Sequence, residues 1–326
     1  MSETGLVLLP WQQVIWKPVA DALAGGRLGH ALLLSGPRGT GKRGFARVLA
    51  AALWCRTPRA ERLPCGQCPD CRQVLAGARS GYHLLRVEEG KRDIAIETVR
   101  ELCQTLALTS HDGGATVAVI DPVDALNRNG VNALLKTIEE PPPRSHLLLI
   151  SERPLALPAT LRSRCQQLRF PVPPRAQARA WLTAAQPDAN VDAALEAAHG
   201  APLRAAQILQ DQSLELQRAW RTAVTDLAAG RAEPLKAAAG IGEDQAPAFF
   251  AWLYGWLLEL LRAQLGLSPT SGLEALARSV PRAGLDRLIA EVQEAPRRLE
   301  GNARALLLLE SALIHWRGLA AKSAPA

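Results

Sequence analysis

An apolar run followed by a glycine-rich loop is the feature that most constrains the fold of this chain. Ala31–Ser35 is an apolar run of strand length, and the residues that follow it read G-P-R-G-T-G-K. A loop of the pattern G-x-x-x-x-G-K joins a strand to a helix N-terminus, where free backbone N–H groups and the helix dipole favour phosphate. The sequence therefore predicts an α/β domain with a phosphate-binding loop that includes Gly36, Gly39, Thr40, Gly41 and Lys42.

The residue after the loop lysine departs from this pattern. A serine or threonine normally follows the lysine, because its hydroxyl binds the Mg²⁺ that accompanies the nucleotide. Here the position is Arg43. The loop alone leaves open whether the chain hydrolyses ATP, only binds it, or retains the loop for another purpose.

Further apolar runs of strand length follow the first one, at residues 82–87, 116–121, 146–151 and 166–170. Helical patterns separate most of these runs, at residues 46–54, 94–108 and 131–140. Strands that alternate with helices are typical of a parallel sheet that is covered on both faces. The pattern predicts a five-stranded parallel sheet.

The strand pattern stops at a proline-rich segment, P-V-P-P-R at residues 171–175. Three short helices are expected between this segment and residue 211, and the rest of the chain is rich in Ala, Leu and Arg with a helical pattern. We therefore expect three domains: an α/β domain at residues 1–171, a small three-helix domain at residues 172–211 and an all-α domain at residues 212–326.

Four of the six cysteines lie close together in the sequence, with the spacing C-x9-C-x2-C-x2-C. Cys103 and Cys165 lie elsewhere, in apolar surroundings. Zn²⁺ favours four thiolate ligands, and C-x2-C steps let neighbouring cysteines share one ion. The spacing predicts a structural zinc module at residues 55–71, with an iron–sulfur cluster as the alternative, and its ligands are Cys55, Cys65, Cys68 and Cys71.

Charge and hydropathy are compatible with several classes of soluble protein and do not indicate one of them. The chain has 38 basic and 31 acidic residues, and its net charge of +7 is spread along the sequence. This excess is compatible with a nucleic-acid partner but does not by itself indicate one. The N-terminus lacks the basic segment of a signal peptide, and the longest apolar run, residues 248–258, is too short to span a bilayer. We expect a soluble cytoplasmic protein without a membrane partner.

Three stretches of the sequence resemble one known family. They are VAVIDPVDALNRNGVNALLKTIEEPPP at residues 117–143, LPATLRSRCQQLRF at residues 157–170 and the four-cysteine module. The strings LPWQ at residues 9–12 and HALLLSGPRGTGK at residues 30–42 fit as well. Together they resemble the delta-prime subunits of the bacterial DNA polymerase III clamp loader, in the AAA+ superfamily. The resemblance extends to about residue 210 and rests beyond it on helical character and length.

This resemblance implies both an architecture and an assembly. The architecture is an AAA+ domain with a zinc knuckle, a small helical lid and an all-α C-terminal collar domain for oligomerisation. The assembly is a hetero-pentamer with ATPase subunits of the gamma/tau type and a delta subunit, which opens the sliding clamp and places it on primed DNA. The chain resembles the non-hydrolysing stator of this complex, located with the replisome in the bacterial cytoplasm. DNA contacts are expected mainly to phosphates, with Arg100 as the candidate.

The family motifs imply roles for residues around the nucleotide. Asp121 ends the third strand and corresponds to the carboxylate on the metal side, but Pro122 replaces the glutamate of active relatives. Arg204 resembles the second sensor, and Ser151 takes the position of the first. Hydrolysis requires both the metal-binding hydroxyl and the acidic residue, so we expect none. Binding of ATP or ADP by the loop is left open, and Zn²⁺ is the expected cofactor.

The string R-S-R-C at residues 162–165 contains the arginine that, in the family, reaches the ATP of a neighbouring subunit. A guanidinium suits this task because it is always charged, planar and able to bond γ-phosphate oxygens as charge develops. Arg164 is therefore the candidate arginine finger acting in trans. The alternative is a solvated basic face that Arg164 forms with Arg162 and Arg169.

Three other functions are compatible with parts of the sequence. The first is a gamma/tau-type motor ATPase, against which Arg43 and Pro122 argue. The second is a zinc-knuckle nucleic-acid-binding protein on an unrelated scaffold with the same phosphate loop. A kinase with this loop is the weakest, because no phosphoacceptor signature follows the loop.

Overall fold

The structure, a computed structural model, describes residues 5–88, 91, 93–109, 115–187, 189–211, 213–267, 273–301 and 303–321. The chain divides into two compact units, of which the first ends at Gln210 and the second begins at Asp211. The predicted division of the first unit at residues 171 and 172 stays a prediction. Every helix in the described part of the chain is too short or too polar to cross a membrane.

A five-stranded parallel sheet forms the centre of the first unit, as predicted. Its strands are β1 (Ala31–Ser35), β2 (Tyr82–Arg86), β3 (Thr116–Asp121), β4 (Ser145–Ser151) and β5 (Gln166–Arg169). They are arranged in the order β2-β3-β4-β1-β5, and all four pairings are parallel. The predicted strand bounds are correct to within one residue at each end.

Helices cover both faces of this sheet. They are α1 (Gln13–Ala24), α2 (Lys42–Trp54), α3 (Pro69–Leu75), α4 (Ile96–Thr109), α5 (Arg128–Glu139) and α6 (Ala159–Arg164). Successive residues of a strand point to opposite faces, so Leu32 and Leu34 join the core on one side and Leu33 joins the core on the other. Burial on both faces explains why β1 is apolar at nearly every position rather than at alternate ones.

Three further helices complete the first unit: α7 (Arg175–Ala185), α8 (Val191–Ala197) and α9 (Pro202–Gln210). They pack against one another. A short 3-10 turn at Pro10–Gln12 joins them to the N-terminal part of the unit, because Trp11 makes an edge-to-face contact with Trp181 of α7 at 5.5 Å. The three helices are thus held beside the elements that precede β1.

The second unit is all-helical over its described residues. It contains α10 (Ser213–Ala228), α11 (Pro234–Ile241), α12 (Ala246–Gln264), α13 (Glu274–Ser279), α14 (Arg282–Glu300) and α15 (Ala305–Ala321). Aromatic side chains fill its core: Trp256 of α12 meets Trp316 of α15 edge to face at 5.2 Å. Trp316 Nε1 also donates to Val224 O at 2.8 Å, so the indole joins α15 to α10 by packing and by a hydrogen bond.

Candidate functional site

The glycine-rich loop lies at the carboxyl edge of the sheet, directly after β1. Gly36 has φ +151°, and a Cβ there would lie 2.1 Å from Phe170 O. Gly39 has φ +82°, and a Cβ there would lie 2.8 Å from the backbone nitrogen of Arg204. Only glycine fits such positions, where the backbone is left-handed or another chain segment is too close. The loop therefore has the tight form that the motif predicts.

Lys42 points back into its own loop. Its Nζ donates to Gly36 O at 2.6 Å and to Pro37 O at 2.7 Å, and the residue is only 4% exposed. Burial lowers the pKa of this ammonium to about 8. The positive charge that would meet a phosphate is therefore satisfied by carbonyl groups of the loop.

Arg43 pairs with the carboxylate expected on the metal side. Its Nε lies 2.6 Å from Asp121 Oδ2, and Arg86 Nε lies 3.6 Å from the same oxygen. Asp121 is 3% exposed, and two guanidinium groups thus balance its charge. Thr40 offers no substitute for the missing hydroxyl, because its buried Oγ1 donates to Pro37 O at 2.9 Å. The residues present favour an internal ion pair over a Mg²⁺ site.

Asp124 is the first carboxylate after Pro122, two residues further along the chain. Its Oδ1 accepts a hydrogen bond from Ser151 Oγ at 2.7 Å, and its Oδ2 accepts one from the backbone N–H of Glu152 at 2.6 Å. Both oxygens are therefore bonded to the end of β4. Ser151 is fully buried, and this hydrogen bond holds its side chain against Asp124.

Groups from outside the loop also bind its carbonyls. Trp11 Nε1 donates to Thr40 O at 3.0 Å and Gln12 Nε2 donates to Gly41 O at 2.8 Å. On the other side, the backbone N–H of Leu203 donates to Gly39 O at 3.1 Å. Sequence reasoning noted the string that contains Trp11 and Gln12 but missed these bonds to the loop. They hold the loop between the N-terminal turn and α9.

Arg204 lies at the start of α9, directly against this loop. It is half-buried, and its pKa lies below the usual value because of burial first and of the neighbouring Arg38 charge second. The structure therefore brings the predicted second-sensor residue to the loop, as its motif position implied. Its role toward a nucleotide stays a prediction.

The four clustered cysteines form a candidate metal centre. Their Sγ atoms all lie within 4.8 Å of one another, and those of Cys65 and Cys71 are 3.9 Å apart. In a tetrahedral zinc site with Zn–S bonds of about 2.3 Å, sulfur atoms lie about 3.8 Å apart. The donor set therefore fits Zn²⁺, and the Cys65–Cys71 separation is that of a tetrahedral site.

Backbone N–H groups around the cysteines favour the thiolate form that binds metal. The N–H groups of Gln67 and Cys68 point to Cys65 Sγ at 3.4 and 3.2 Å. Together with a hydrogen bond from Thr57, which has the largest effect, they lower the pKa of Cys65 to about 5. Gly66 has φ +75° and permits this tight turn. These hydrogen bonds favour the thiolate form of Cys65, whereas burial raises the pKa of the Cys71 thiol.

Other contacts fix this module to the rest of the first unit. Asp70 is 6% exposed and lies between Arg56 Nε at 2.6 Å and Arg79 Nε at 3.1 Å. Trp16 Nε1 of α1 donates to Glu61 O at 2.9 Å. The module therefore has its own ion pairs and is not a loose loop.

Arg164 lies at the amino ends of the strands, whereas the loop lies at their carboxyl ends. It ends α6, two residues before β5, and β5 runs parallel to β1 with Gln166 beside Leu32 and Arg169 beside Ser35. The five residues of β1 span about 16 Å at the usual rise of a strand. The side chain of Arg164 is 41% exposed, and at this distance it does not reach the loop of the same chain.

The remaining candidate arginines are dispersed. Arg100 is exposed on α4, and Arg169 is exposed on β5. Arg162 is half-buried, and its Nε makes no hydrogen bond within the described part of the chain. The structure therefore assembles the loop residues and the four cysteines into sites and leaves Arg100 and Arg164 as separate surface groups.

Comparisons with known proteins agree with the sequence motifs. Residues 11–174 match the family model described as "DNA polymerase III, delta subunit", and residues 212–318 match the one described as "DNA polymerase III, delta subunit, C terminal". The chain is 35% identical to the Pseudomonas aeruginosa DNA polymerase III subunit delta′, over 96% of this chain and 98% of that one. It is 30% identical to the Escherichia coli subunit delta′, over 81% and 79% of the two chains. It is also 38% identical to the Escherichia coli subunit tau, over 49% of this chain and 24% of tau.

Proposed function

Because the chain belongs to the family of DNA polymerase III delta-prime subunits, we propose that it is the non-hydrolysing stator of a clamp loader. In this role it supplies Arg164 to the ATP site of a neighbouring subunit. The observation that carries the proposal is the position of Arg164, which is exposed at the sheet edge opposite to the chain's own loop. A guanidinium so placed acts on a nucleotide only if another molecule holds that nucleotide.

The contacts of the loop support the absence of hydrolysis. Phosphoryl transfer needs a metal ion beside the β- and γ-phosphates and a group that orients the attacking water. Here Arg43 pairs with Asp121 at 2.6 Å, and Pro122 takes the position of the glutamate in active relatives. Asp124 cannot replace that glutamate while it binds Ser151 and Glu152. These contacts support a phosphate loop without a Mg²⁺ site and without an acidic residue at position 122.

The proposed partners are ATPase subunits of the gamma/tau type and a delta subunit, in a hetero-pentamer. This complex opens a sliding clamp and places it on primed DNA in the bacterial cytoplasm. Arg100 is the proposed contact to a DNA phosphate, because it is exposed on α4 and carries a charge that phosphate attracts. The second unit is proposed to serve as the collar that joins the subunits.

Zn²⁺ is the proposed cofactor, and its role is structural. Cys55, Cys65, Cys68 and Cys71 would provide all four ligands, so no position is left for a substrate. Bound zinc would stabilise the fold of residues 55–71, where the short α3 begins at Pro69 and carries Cys71 in its first turn. It takes no part in the chemistry of the complex.

The test is the Arg164→Ala variant in the reconstituted complex. Folding, zinc content and assembly should be unchanged, while the ATPase and clamp-loading rates fall. Arginine fingers contribute about 10³–10⁵ in rate where they dominate, and the loss here should be smaller because other sites in the ring carry fingers from other subunits. Arg164→Lys should restore little, because an ammonium lacks the planar head with several donors.

Arg169→Ala is the matched control, since Arg169 is also exposed and lies on the adjacent strand β5. It should leave both rates unchanged. Full activity of both variants would mean that Arg164 is a solvated charge and that the proposed action in trans is wrong.

A further inference from the structure

Arg164 is held by a carboxylate on the neighbouring helix. Arg164 Nε donates to Glu139 Oε1 at 2.6 Å, and Arg164 Nη1 donates to Thr160 O at 3.1 Å. Glu139 is the last residue of α5, and Arg164 is the last residue of α6. Two of the five N–H groups of the guanidinium are thus used within the chain, and the outward part of the group is left for another ligand.

Glu139 belongs to the longer and more extensively buried of these two helices. Helix α5 has 12 residues and buries Val131, Leu134 and Ile138, whereas α6 has six residues and buries only Leu161. The N-terminus of α5 is capped by Asn127, whose Oδ1 accepts from the backbone N–H of Gly130 at 2.9 Å. The backbone of Glu139 is thus held by the packing and the cap of α5, and its carboxylate has a defined position from which to bind the guanidinium.

We propose that Glu139 is the positioning residue of the arginine finger: its carboxylate holds Arg164 Nε so that the remaining N–H groups of the guanidinium face the nucleotide of the neighbouring subunit. This inference rests on the function proposed for Arg164. An unpaired arginine at a surface samples many rotamers, and fixing them in advance lowers the entropy lost when the finger binds phosphate. Glu139 acts only through Arg164 and does not touch the nucleotide.

A competing role for the same contact predicts the opposite change in ATPase rate. If Glu139 competed with phosphate for the guanidinium, its removal would free the finger and raise the rate. The change in ATPase rate when Glu139 is removed therefore distinguishes the two roles: a lower rate supports positioning, and a higher rate supports competition.

The experiment uses the full reconstituted complex with clamp, primed DNA and ATP, and four versions of this chain: Glu139→Ala, Glu139→Gln, Arg164→Ala and the double variant Glu139→Ala/Arg164→Ala. Glu139→Ala should lower kcat by about two- to fivefold, and by less than Arg164→Ala, with KM unchanged, because an exposed ion pair is worth only a modest factor. Glu139→Gln should recover most of the rate, since its amide oxygen still accepts from Nε. In the double variant Glu139→Ala should cause no further loss.

Glu140→Ala is the matched control. Glu140 is the next residue and is exposed, but its carboxylate makes no ion pair within the described residues. This variant should have the rate of the unmodified complex. Size-exclusion chromatography should show that every variant assembles equally well.

The outcomes separate this inference from the function on which it depends. If Arg164→Ala lowers the rate while Glu139→Ala leaves it unchanged or raises it, the positioning role is wrong and the finger stands. If Glu139→Ala lowers the rate equally with and without Arg164, Glu139 acts independently and the inference is again wrong. If Arg164→Ala itself has full activity, the proposed function fails, and the positioning role fails with it.

Discussion

Arg43 Nε lies 2.6 Å from Asp121 Oδ2, so the residue that replaces the loop hydroxyl binds the carboxylate at the end of β3. At this distance the guanidinium supplies the positive charge that a metal ion would otherwise bring to a buried aspartate. Arg43 therefore replaces the loop hydroxyl and also balances the charge of Asp121.

The first prediction concerns ATP turnover by the isolated chain. Because Arg43 neutralises Asp121 and Pro122 carries no acidic group, steady-state phosphate release should equal that of a Lys42→Ala control. The single variant Arg43→Thr should also show no turnover, since the acidic residue is still missing. Hydrolysis by the unmodified chain that disappears in Lys42→Ala would restore the motor interpretation.

The second prediction concerns metal content. Freshly purified, reduced protein should contain one Zn²⁺ per chain by elemental analysis, and Cys68→Ser should lose it. Structural zinc contributes about 10–16 kcal/mol in small finger peptides at neutral pH, so this variant should unfold residues 55–71 and become sensitive to protease there. The tryptophan signal of the second unit should persist.

Cys103→Ser is the control for the metal site. Cys103 lies on α4, where its Sγ is 3.8 Å from Ala133 O, and its replacement should leave the zinc content unchanged. A purified, reduced chain without zinc would contradict the site directly.

The third prediction concerns pH. Burial lowers the pKa of Lys42 from 10.5 to about 8, so between these values the folded chain binds fewer protons than the unfolded chain. Unfolding free energy should therefore rise with pH across this window, by up to about 1.4 kcal/mol per pH unit from this group. Lys42→Met should remove that contribution, as measured by urea unfolding from pH 7 to 10.5.

Lys17→Met provides the comparison, because Lys17 is exposed on α1. Its unfolding free energy should follow the same pH dependence as that of the unmodified chain. Parallel curves for Lys42→Met and the unmodified chain would show that the lysine is solvated and does not occupy its loop.

The fourth prediction concerns two glycines near the loop. Gly36→Ala should destabilise the first unit by at least about 3 kcal/mol, because the new Cβ meets a backbone oxygen and the backbone is strained. Gly44→Ala, inside α2, has no atom within 4 Å of the new Cβ and should stabilise by up to about 1 kcal/mol. The melting temperatures of the two variants, measured by thermal unfolding, test this prediction. Similar values for Gly36→Ala and Gly44→Ala would contradict it.

The sheet could be predicted from the sequence because a strand that is buried on both faces is apolar along its whole length. Ala31–Ser35 and Thr116–Asp121 were predicted with their observed bounds. The start of α2 was predicted four residues late, at residue 46 instead of Lys42. The helix opens with Lys42, Arg43 and Gly44, which precede its first apolar residue, Phe45, so hydrophobic periodicity does not reveal its start.

The contacts of the candidate sites could be predicted only in part. Cysteine spacing sufficed for the metal module, because four ligands within 17 residues have few other ways to meet. The pairs Arg43–Asp121 and Arg164–Glu139 join residues far apart in the chain, and no local pattern shows which carboxylate an arginine will meet. The bonds from Trp11 and Gln12 to the loop are of the same kind.

The loop lies at the carboxyl ends of the strands and Arg164 lies at their amino ends, so the two ends of the sheet present different surfaces. A contact from the arginine edge of one molecule to the loop edge of the next is heterologous, and such contacts continue from subunit to subunit until they close a ring or meet a molecule that lacks one surface. In the role proposed for this chain, its arginine edge completes the site of a neighbour and its own loop edge completes none. Under that proposal it ends a series of subunits in one direction only, and the strand direction of β1 and β5 sets that direction.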